Sequence, residues 1–422
     1  MDRLLCRLSP AVMTILARIA ALAAAMEMRV FLVGGAVRDL LLGKVPSKDL
    51  DLAVEGDAAA LAERVAATLD GEVIAVHAAF GTATVAIGQV ELDLARTRTE
   101  RYVRPAALPE VAPATIVEDL RRRDVTVNAV AIPLAVDADG RLIESAPFDP
   151  FGGAADLAAR RLRLLHDASV RDDPTRILRA VRLAARLGLT PDAATAAQIA
   201  EGLRAGYLAL LTPDRVLGEL CLAVDEPDPA SVVAVADAWG VTPHVVPGLR
   251  WTPALAERMA RLLADPFGLA AHAPARLARV AALLADLSDG ELRAVAARYP
   301  LPAALRDLIG AELISARAAL PAVAAAATPS AVDAVLARHS VAALTALCAA
   351  TPDPALAERL ARYVRDWRTV RAPLDGNDLR AMGVAPGREM GALLRDLRAA
   401  TLDGVIRCRA DAEAWVRQRI GG

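Results

Sequence analysis

The chain has 422 residues, too many for one ordinary core and enough for two to four domains of about 100–200 residues each. Its 55% hydrophobic and 24% charged residues exclude a disordered polymer. A formal charge of −2, from 49 basic and 51 acidic residues, excludes the net positive field of a non-specific nucleic-acid binder, so any polyanion must be met by local patches. Aromatics make up only 3%, and the abundance of Ala, Leu and Val favours helices over a β-sandwich.

In chain order, the apolar stretch from Ala11 to Ala25 reads as a surface-packed helix, because Arg18 interrupts it and a bilayer span needs about 20 apolar residues. Residues 29–33 form a β-prone run that ends at Gly34-Gly35, and Ala36 to Leu42 then reads as helix. Strands follow at Leu50–Val54, Thr82–Ile87 and Val90–Leu94, with an amphipathic helix at Ala58–Leu69 between the first two. Arg98 to Asp119, rich in proline and charge, reads as a loop, and Val125–Val136 as a further strand. Pro147-Phe-Asp-Pro-Phe-Gly-Gly153 breaks the chain where strand signals end. Beyond about Ala154 the pattern is helical, with starts at Thr212-Pro213, Thr252-Pro253 and Thr328-Pro329. The divisions expected are 1–150, 151–230, 231–330 and 331–422. The four cysteines, Cys6, Cys221, Cys348 and Cys408, lie too far apart for a zinc pattern or a disulfide framework, which fits a reducing cytoplasm.

Asp49 and Asp51 flank Leu50 on a strand, and side chains two apart point the same way, so two carboxylates share one face. Adjacent anions repel unless a cation lies between them, and hard Mg²⁺ with oxygen ligands is the usual solution in phosphoryl transfer; the bland reading is a solvated strand face. Asp93, between Leu92 and Leu94, reads as a buried carboxylate in need of a cation or of a salt bridge to Arg96 or Arg98. Gly34-Gly35 at a strand-to-helix turn exposes backbone N–H groups, with Arg38 one turn on, as a phosphate cradle would. Asp173 and Arg176, three apart after Pro174, read as neighbours on one helix, either as a simple ion pair or as an acceptor beside a donor that mimics a Watson–Crick partner. Arg179 and Arg182 continue that spacing, while Ile177, Val181 and Ala184 keep an apolar stripe elsewhere. His166-Asp167 invites a metal-phosphohydrolase reading, but none of the other four histidines has ligand spacing.

Phe31 through Gly43 followed by Lys48-Asp-Leu-Asp51 resembles motif A of the class II tRNA nucleotidyltransferases and bacterial poly(A) polymerases, within the DNA polymerase β superfamily. Arg122-Arg-Asp-Val-Thr-Val-Asn-Ala129 is similar to their Arg-Arg-Asp-Phe-Thr motif, with Val125 in place of Phe, and Asp149 through Leu157 to the linker after the head. Asp172-Asp-Pro-Thr-Arg176 resembles the base-reading Glu-Asp-x-x-Arg motif, with Asp172 in place of Glu, and Arg215 with Glu219 the helix after it. Asp375 through Gly391 resembles the tail signature, with Arg388 where proline is common.

The resemblance implies an α+β chain: a polymerase-β-like nucleotidyltransferase head, then an all-helical neck, body and tail. It implies attack of a tRNA 3′-hydroxyl on the α-phosphate of CTP or ATP, with two Mg²⁺ ions on Asp49 and Asp51 and Asp93 as an assisting base. Gly34, Gly35, Arg38, Arg123, Asp124, Asn128, Arg179 and Arg182 would contact the nucleotide, with Asp124 at the ribose 2′-hydroxyl, and Asp173 with Arg176 would read the base. The tRNA partner would be gripped from its 3′ end to its elbow, with Arg388 and Arg395 as candidate contacts; no membrane or zinc is expected. Addition of the whole CCA is the first reading. A CC- or A-adding enzyme, a poly(A) polymerase and a silent RNA-binding homologue are the alternatives, and the intact carboxylates oppose the last.

Overall fold

The computed structural model describes residues 4–46 and 49–420, with Asp49 by its backbone alone. The described residues fall into two compact units: one runs to Glu219 and includes Trp239–His244, and the other comprises Leu220–Ala238 and the chain from Val245 onward.

The first unit opens with α1 (Pro10–Ala25), which Ser9 caps by accepting the Val12 N–H at 3.3 Å. Next come β1 (Arg29–Val33), α2 (Gly35–Leu41), β2 (Asp49–Glu55), α3 (Ala58–Thr68), β3 (Glu72–His77), β4 (Thr82–Ile87), β5 (Val90–Arg96), β6 (Arg98–Arg101), β7 (Glu110–Pro113), α4 (Ile116–Arg121) and β8 (Ala131–Leu134). Six strands form one sheet in the order β3-β4-β5-β2-β1-β8. Within it β2 and β5 run parallel, joined by a crossover that contains α3, and the register sets Leu50 beside Leu92 and Asp51 beside Asp93.

Alternation along the strands gives the sheet two different faces. Val30, Leu32, Leu50, Leu52, Val54, Leu92 and Leu94 point into the larger core, with Leu16 and Ile19 of α1 and Leu61 and Val65 of α3. Phe31, Val33 and Ala53 lie on the other face, in a smaller cluster with Ile116 and Leu120 of α4, Ala129 and Ala131. Asp51 and Asp93 share that second face and are exposed. The burial expected for Asp93 is therefore corrected: its leucine neighbours face the core and the carboxylate between them does not.

Two further expectations are corrected. Val125–Val136 is not one strand: a 3₁₀ turn at Thr126–Asn128 precedes the short β8, because Asp124 accepts the Val125 N–H at 2.8 Å and the Asn128 amide at 3.1 Å, which folds the backbone locally. Arg98–Asp119 is not structureless either. It holds the β6–β7 hairpin, with Arg98 paired to Pro113 and Arg101 to Glu110, and the start of α4.

Helices α5 (Gly153–Ala158), α6 (Ser169–Asp172), α7 (Thr175–Leu187), α8 (Ala193–Arg204) and the start of α9 (Pro213–Asp225) complete this unit. Asp149 caps α5 through the N–H groups of Gly153 and Ala154 at 2.7 and 2.9 Å. Ile177, Val181 and Ala184 of α7 are buried, as their spacing predicts. The second unit is helical among its described residues; Thr252 and Thr328 cap helices that begin at Pro253 and Pro329. One of its helical runs, Ala303–Ala325, is long and apolar enough to cross a bilayer, although Arg306, Asp307, Glu312 and Arg317 interrupt it.

Candidate active site

A cleft of about 480 Å³ opens on the second face of the sheet, lined from β1, β2, β5, β6, α7 and α9 together with the segment that follows α4. Five carboxylates line it, Asp51, Asp93, Glu100, Asp124 and Asp173, with six arginines, Arg98, Arg122, Arg123, Arg176, Arg179 and Arg215. A cleft with both signs of charge in quantity suits a ligand that carries both, such as a polyphosphate with a metal ion.

Gly34 enters α2 with φ +71° and ψ −136°, backbone that L side chains avoid. A Cβ there would come within 3.1 Å of an Asp51 carboxylate oxygen and 3.3 Å of Arg123 Nη1, so the glycine lets the β1–α2 turn approach both groups. Asp93 lies opposite Asp51 in register and accepts a 2.6 Å hydrogen bond from the Thr84 hydroxyl. Arg98, expected as a partner for Asp93, pairs instead with Glu100 at 3.0 Å. Asp49 occupies the first position of β2, and its side chain lies outside the described residues.

The donor set fits a hard divalent cation, because carboxylate oxygens two abreast on adjacent strands suit Mg²⁺ and no sulfur or imidazole intrudes. Among the described residues no group of three or more His, Cys, Asp or Glu side chains converges as a metal site.

The arginines are held in a graded network. Arg122 donates to Glu100 at 2.8 Å and Asp119 at 2.7 Å, and Arg123 to Asp119 at 3.2 Å. Burial opposes ionisation of Asp119, yet Arg123 and Arg122 hold its carboxyl below the ordinary range. Asp124, 8% exposed, accepts from Arg179 at 3.0 Å as well as from Val125 and Asn128. Burial would raise its pKa, but Arg179, the Asn128 amide and the Val125 N–H together hold it below 3.8. Asp173 does not pair with Arg176. It lies ahead of α7, accepts from the N–H and hydroxyl of Thr175 at 3.0 and 2.6 Å, and binds Arg215 at 2.8 Å.

Arg176 differs from the other five. It is 4% exposed, and its hydrogen bonds go to uncharged acceptors: Ser169 Oγ at 2.9 Å, His166 Nε2 at 3.1 Å and the Arg122 carbonyl at 2.6 Å. Among the described residues it forms no ion pair. A buried guanidinium without a counter-ion is costly unless a ligand completes it, and three bonds leave at least two of its five N–H donors for that ligand.

The cleft thus collects Gly34, Gly35, Asp51, Asp93, Arg123, Asp124, Asn128, Asp173, Arg176 and Arg179 of the expected residues. Arg38 and Arg182 do not line it. Arg38 is buried behind it and donates to Asn128 at 2.8 Å, and Arg182 binds Glu219 at 3.4 Å. Sequence reading missed Glu100 and Tyr102, which sit in the segment read as a loop, and Asp119. No local pattern marked them, since Arg98–Arg101 is polar at every position and its burial does not alternate. Tyr102 donates to Glu100 at 2.8 Å, and its phenol pKa is raised by burial first and then by Glu100, so it stays protonated.

Residues 30–163 match the family model described as the poly A polymerase head domain. The chain is 38% identical over 261 residues to an A-adding tRNA nucleotidyltransferase of Halalkalibacterium halodurans, over 61% of this chain and 59% of that protein. It is 42% identical over 225 residues to a CC-adding tRNA nucleotidyltransferase of Deinococcus radiodurans, over 53% and 57%. The match spans little more than half the length of these curated relatives. A Thermotoga maritima CCA-adding enzyme complexed with tRNA superimposes with TM-score 0.74 at 28% identity, over 99% of this chain and 98% of that one. CCA-adding enzyme structures with ATP and with CTP, each 27% identical, reach TM-score 0.77 over 99% and 100% of this chain and 98% of theirs.

Proposed function

From a chain that carries a poly A polymerase head domain, with A- and CC-adding tRNA nucleotidyltransferases as homologues and CCA-adding enzymes as structural neighbours, we propose a template-independent tRNA nucleotidyltransferase that adds CMP, AMP or both to a tRNA 3′ end. The observation that carries this reading is one cleft holding the Asp51–Asp93 pair together with Asp173 and the buried, uncompensated Arg176. A pure RNA binder has no use for a carboxylate pair facing a polyanion.

In the proposed reaction the tRNA 3′-oxygen attacks the α-phosphate, forming a P–O bond as the bond to the β-phosphate oxygen breaks and pyrophosphate leaves. Asp49 and Asp51 would hold Mg²⁺, two ions on this reading, which when bound supplies charge neutralisation at the phosphates. Asp93 keeps its second carboxylate oxygen available beyond the Thr84 bond to accept the 3′-hydroxyl proton. Arg123 and the Gly34-Gly35 turn place the phosphates, with Arg38 acting through Asn128. Asp124, already engaged with Arg179 and Asn128, reaches a ribose 2′-hydroxyl when one of those bonds opens. Asp173 accepts an amino group of cytosine or adenine and Arg176 donates to the ring acceptor beside it, so protein replaces a nucleic-acid template. Arg179 supports this wall, and Arg182 reaches it through Glu219.

The four divisions expected from the sequence are kept as head, neck, body and tail, with body and tail proposed to grip the tRNA from acceptor stem to elbow by phosphate contacts. The test is extension of three tRNA transcripts, lacking CCA, CA or A, with Mg²⁺ and CTP, ATP or both. Completion of all three is expected of a full CCA-adding enzyme. Arrest after CC, or extension of only the transcript ending in CC, would assign a partial activity, and no extension would overturn the proposal.

A further inference from the structure

Arg176 is anchored from three sides, and one anchor can titrate. Arginine only donates, so the 3.1 Å contact to His166 requires Nε2 to accept and places the imidazole proton on Nδ1. The residue is itself fixed: its carbonyl accepts the Ser169 N–H at 3.1 Å and the Gln198 amide of α8 at 3.2 Å. Protonation would remove the acceptor and set a second cation against a buried guanidinium that has no carboxylate partner among the described residues. The other charged groups around the ring are Arg121 of α4, Asp172 of α6 and the adjacent Asp167. Burial first, then Arg176 and more weakly Arg121, press the ring toward the neutral form against Asp172 and Asp167, so its pKa falls below 6.5.

We propose that His166 is a positioning residue for base selection: its neutral Nε2 holds Arg176 in the orientation that presents the remaining N–H donors to the incoming base. This rests on the nucleotide-adding reading above. The His166-Asp167 dipeptide, which resembled a fragment of a phosphohydrolase, is on this account part of the wall that reads the nucleotide. His166 touches neither substrate nor reacting atoms; it acts through Arg176. Wild-type selectivity should be flat while the ring is neutral and should fail as pH falls through the depressed histidine pKa.

The test compares the full chain with His166→Ala and His166→Gln, reading the kcat/KM ratio of CTP to UTP in tRNA extension and, without RNA, the ratio of their equilibrium affinities. His166→Ala is expected to lose discrimination by about tenfold, the order of one lost directional contact to a base. His166→Gln, whose amide oxygen accepts but does not titrate, is expected to stay within about twofold of wild type at neutral pH and to remain flat as the pH is taken down through the acid range in which wild type, once its ring protonates, declines. Unchanged selectivity in His166→Ala, no rescue by His166→Gln, or a His166→Gln profile that follows wild type would each overturn the proposal. If His166→Ala does not fold, the two pH profiles decide. If wild type extends no tRNA, the nucleotidyl-transfer reading fails by itself, and the affinity ratios still decide the role of His166.

Discussion

Replacing Gly34 with alanine separates backbone strain from displacement of the Asp51 carboxylate, the proposed metal ligand. At φ +71° and ψ −136° an L residue costs about 1–3 kcal/mol. A change of about 2 kcal/mol in a unit of this size lowers Tm by about 4–8 °C. The added Cβ would also lie 3.1 Å from an Asp51 oxygen and 3.3 Å from Arg123 Nη1, so both groups must yield by a few tenths of an ångström. If a displacement of about 1 Å costs about a hundredfold in rate, this smaller one should cost about tenfold. Gly88, between β4 and β5, is the control: its φ is +59° but nothing lies within 4 Å of a Cβ built there. Gly88→Ala should therefore lower Tm and leave the extension rate unchanged. The assays are thermal denaturation followed by circular dichroism and single-turnover tRNA extension at a temperature where both variants are folded. Wild-type extension by Gly34→Ala, or equal rate losses in both variants, would refute the reasoning.

Asp51→Asn should abolish incorporation while tRNA affinity in filter binding stays within about twofold, because on the proposed reading it alters a cation ligand and not the phosphate-binding surface. Arg176→Ala should lower the CTP-to-UTP preference by about tenfold or more with an unchanged Mg²⁺ requirement in steady-state extension. Arg179→Met leaves the Asp124 carboxylate buried without its cation and should cost about 2 kcal/mol by urea denaturation at neutral pH. Because the folded-state pKa of Asp124 is depressed, the wild-type contribution is present above its unfolded value near 3.8 and is lost as pH falls through the folded value. The gap between variant and wild type should accordingly close under acid, and a gap independent of pH would contradict this assignment.

The sheet and its first turn were legible because their signals are local: an apolar β-prone run, two glycines and alternating carboxylates specify β1, α2 and β2 within two dozen residues. The helix starts at Pro213, Pro253 and Pro329 were legible for the same reason. What failed was three-dimensional accounting. Leu92 and Leu94 made Asp93 look buried, although a strand flanked by leucines is open on its other side when no element covers that face. The β6–β7 hairpin was hidden by its charges, since Arg98 and Glu100 are polar for the sake of Arg122 and Asp119 and not for solvent. The pairing of Asp173 with Arg215, 42 positions away, replaced the local pair with Arg176 that helical spacing favours, and no one-dimensional pattern encodes that exchange.

The parallel register that sets Asp51 beside Asp93 also marks a conflict between durability and work. Like charges side by side on neighbouring strands oppose the sheet they sit on, and the hydrocarbon of Leu50, Leu52, Leu92 and Leu94 on the reverse face holds the strands together against them. A sheet selected for permanence alone would carry threonine or valine at one of the two positions. Asp93→Asn, which keeps an oxygen for the Thr84 hydroxyl and removes one of the two like charges, should therefore yield a protein that melts at a higher temperature than wild type.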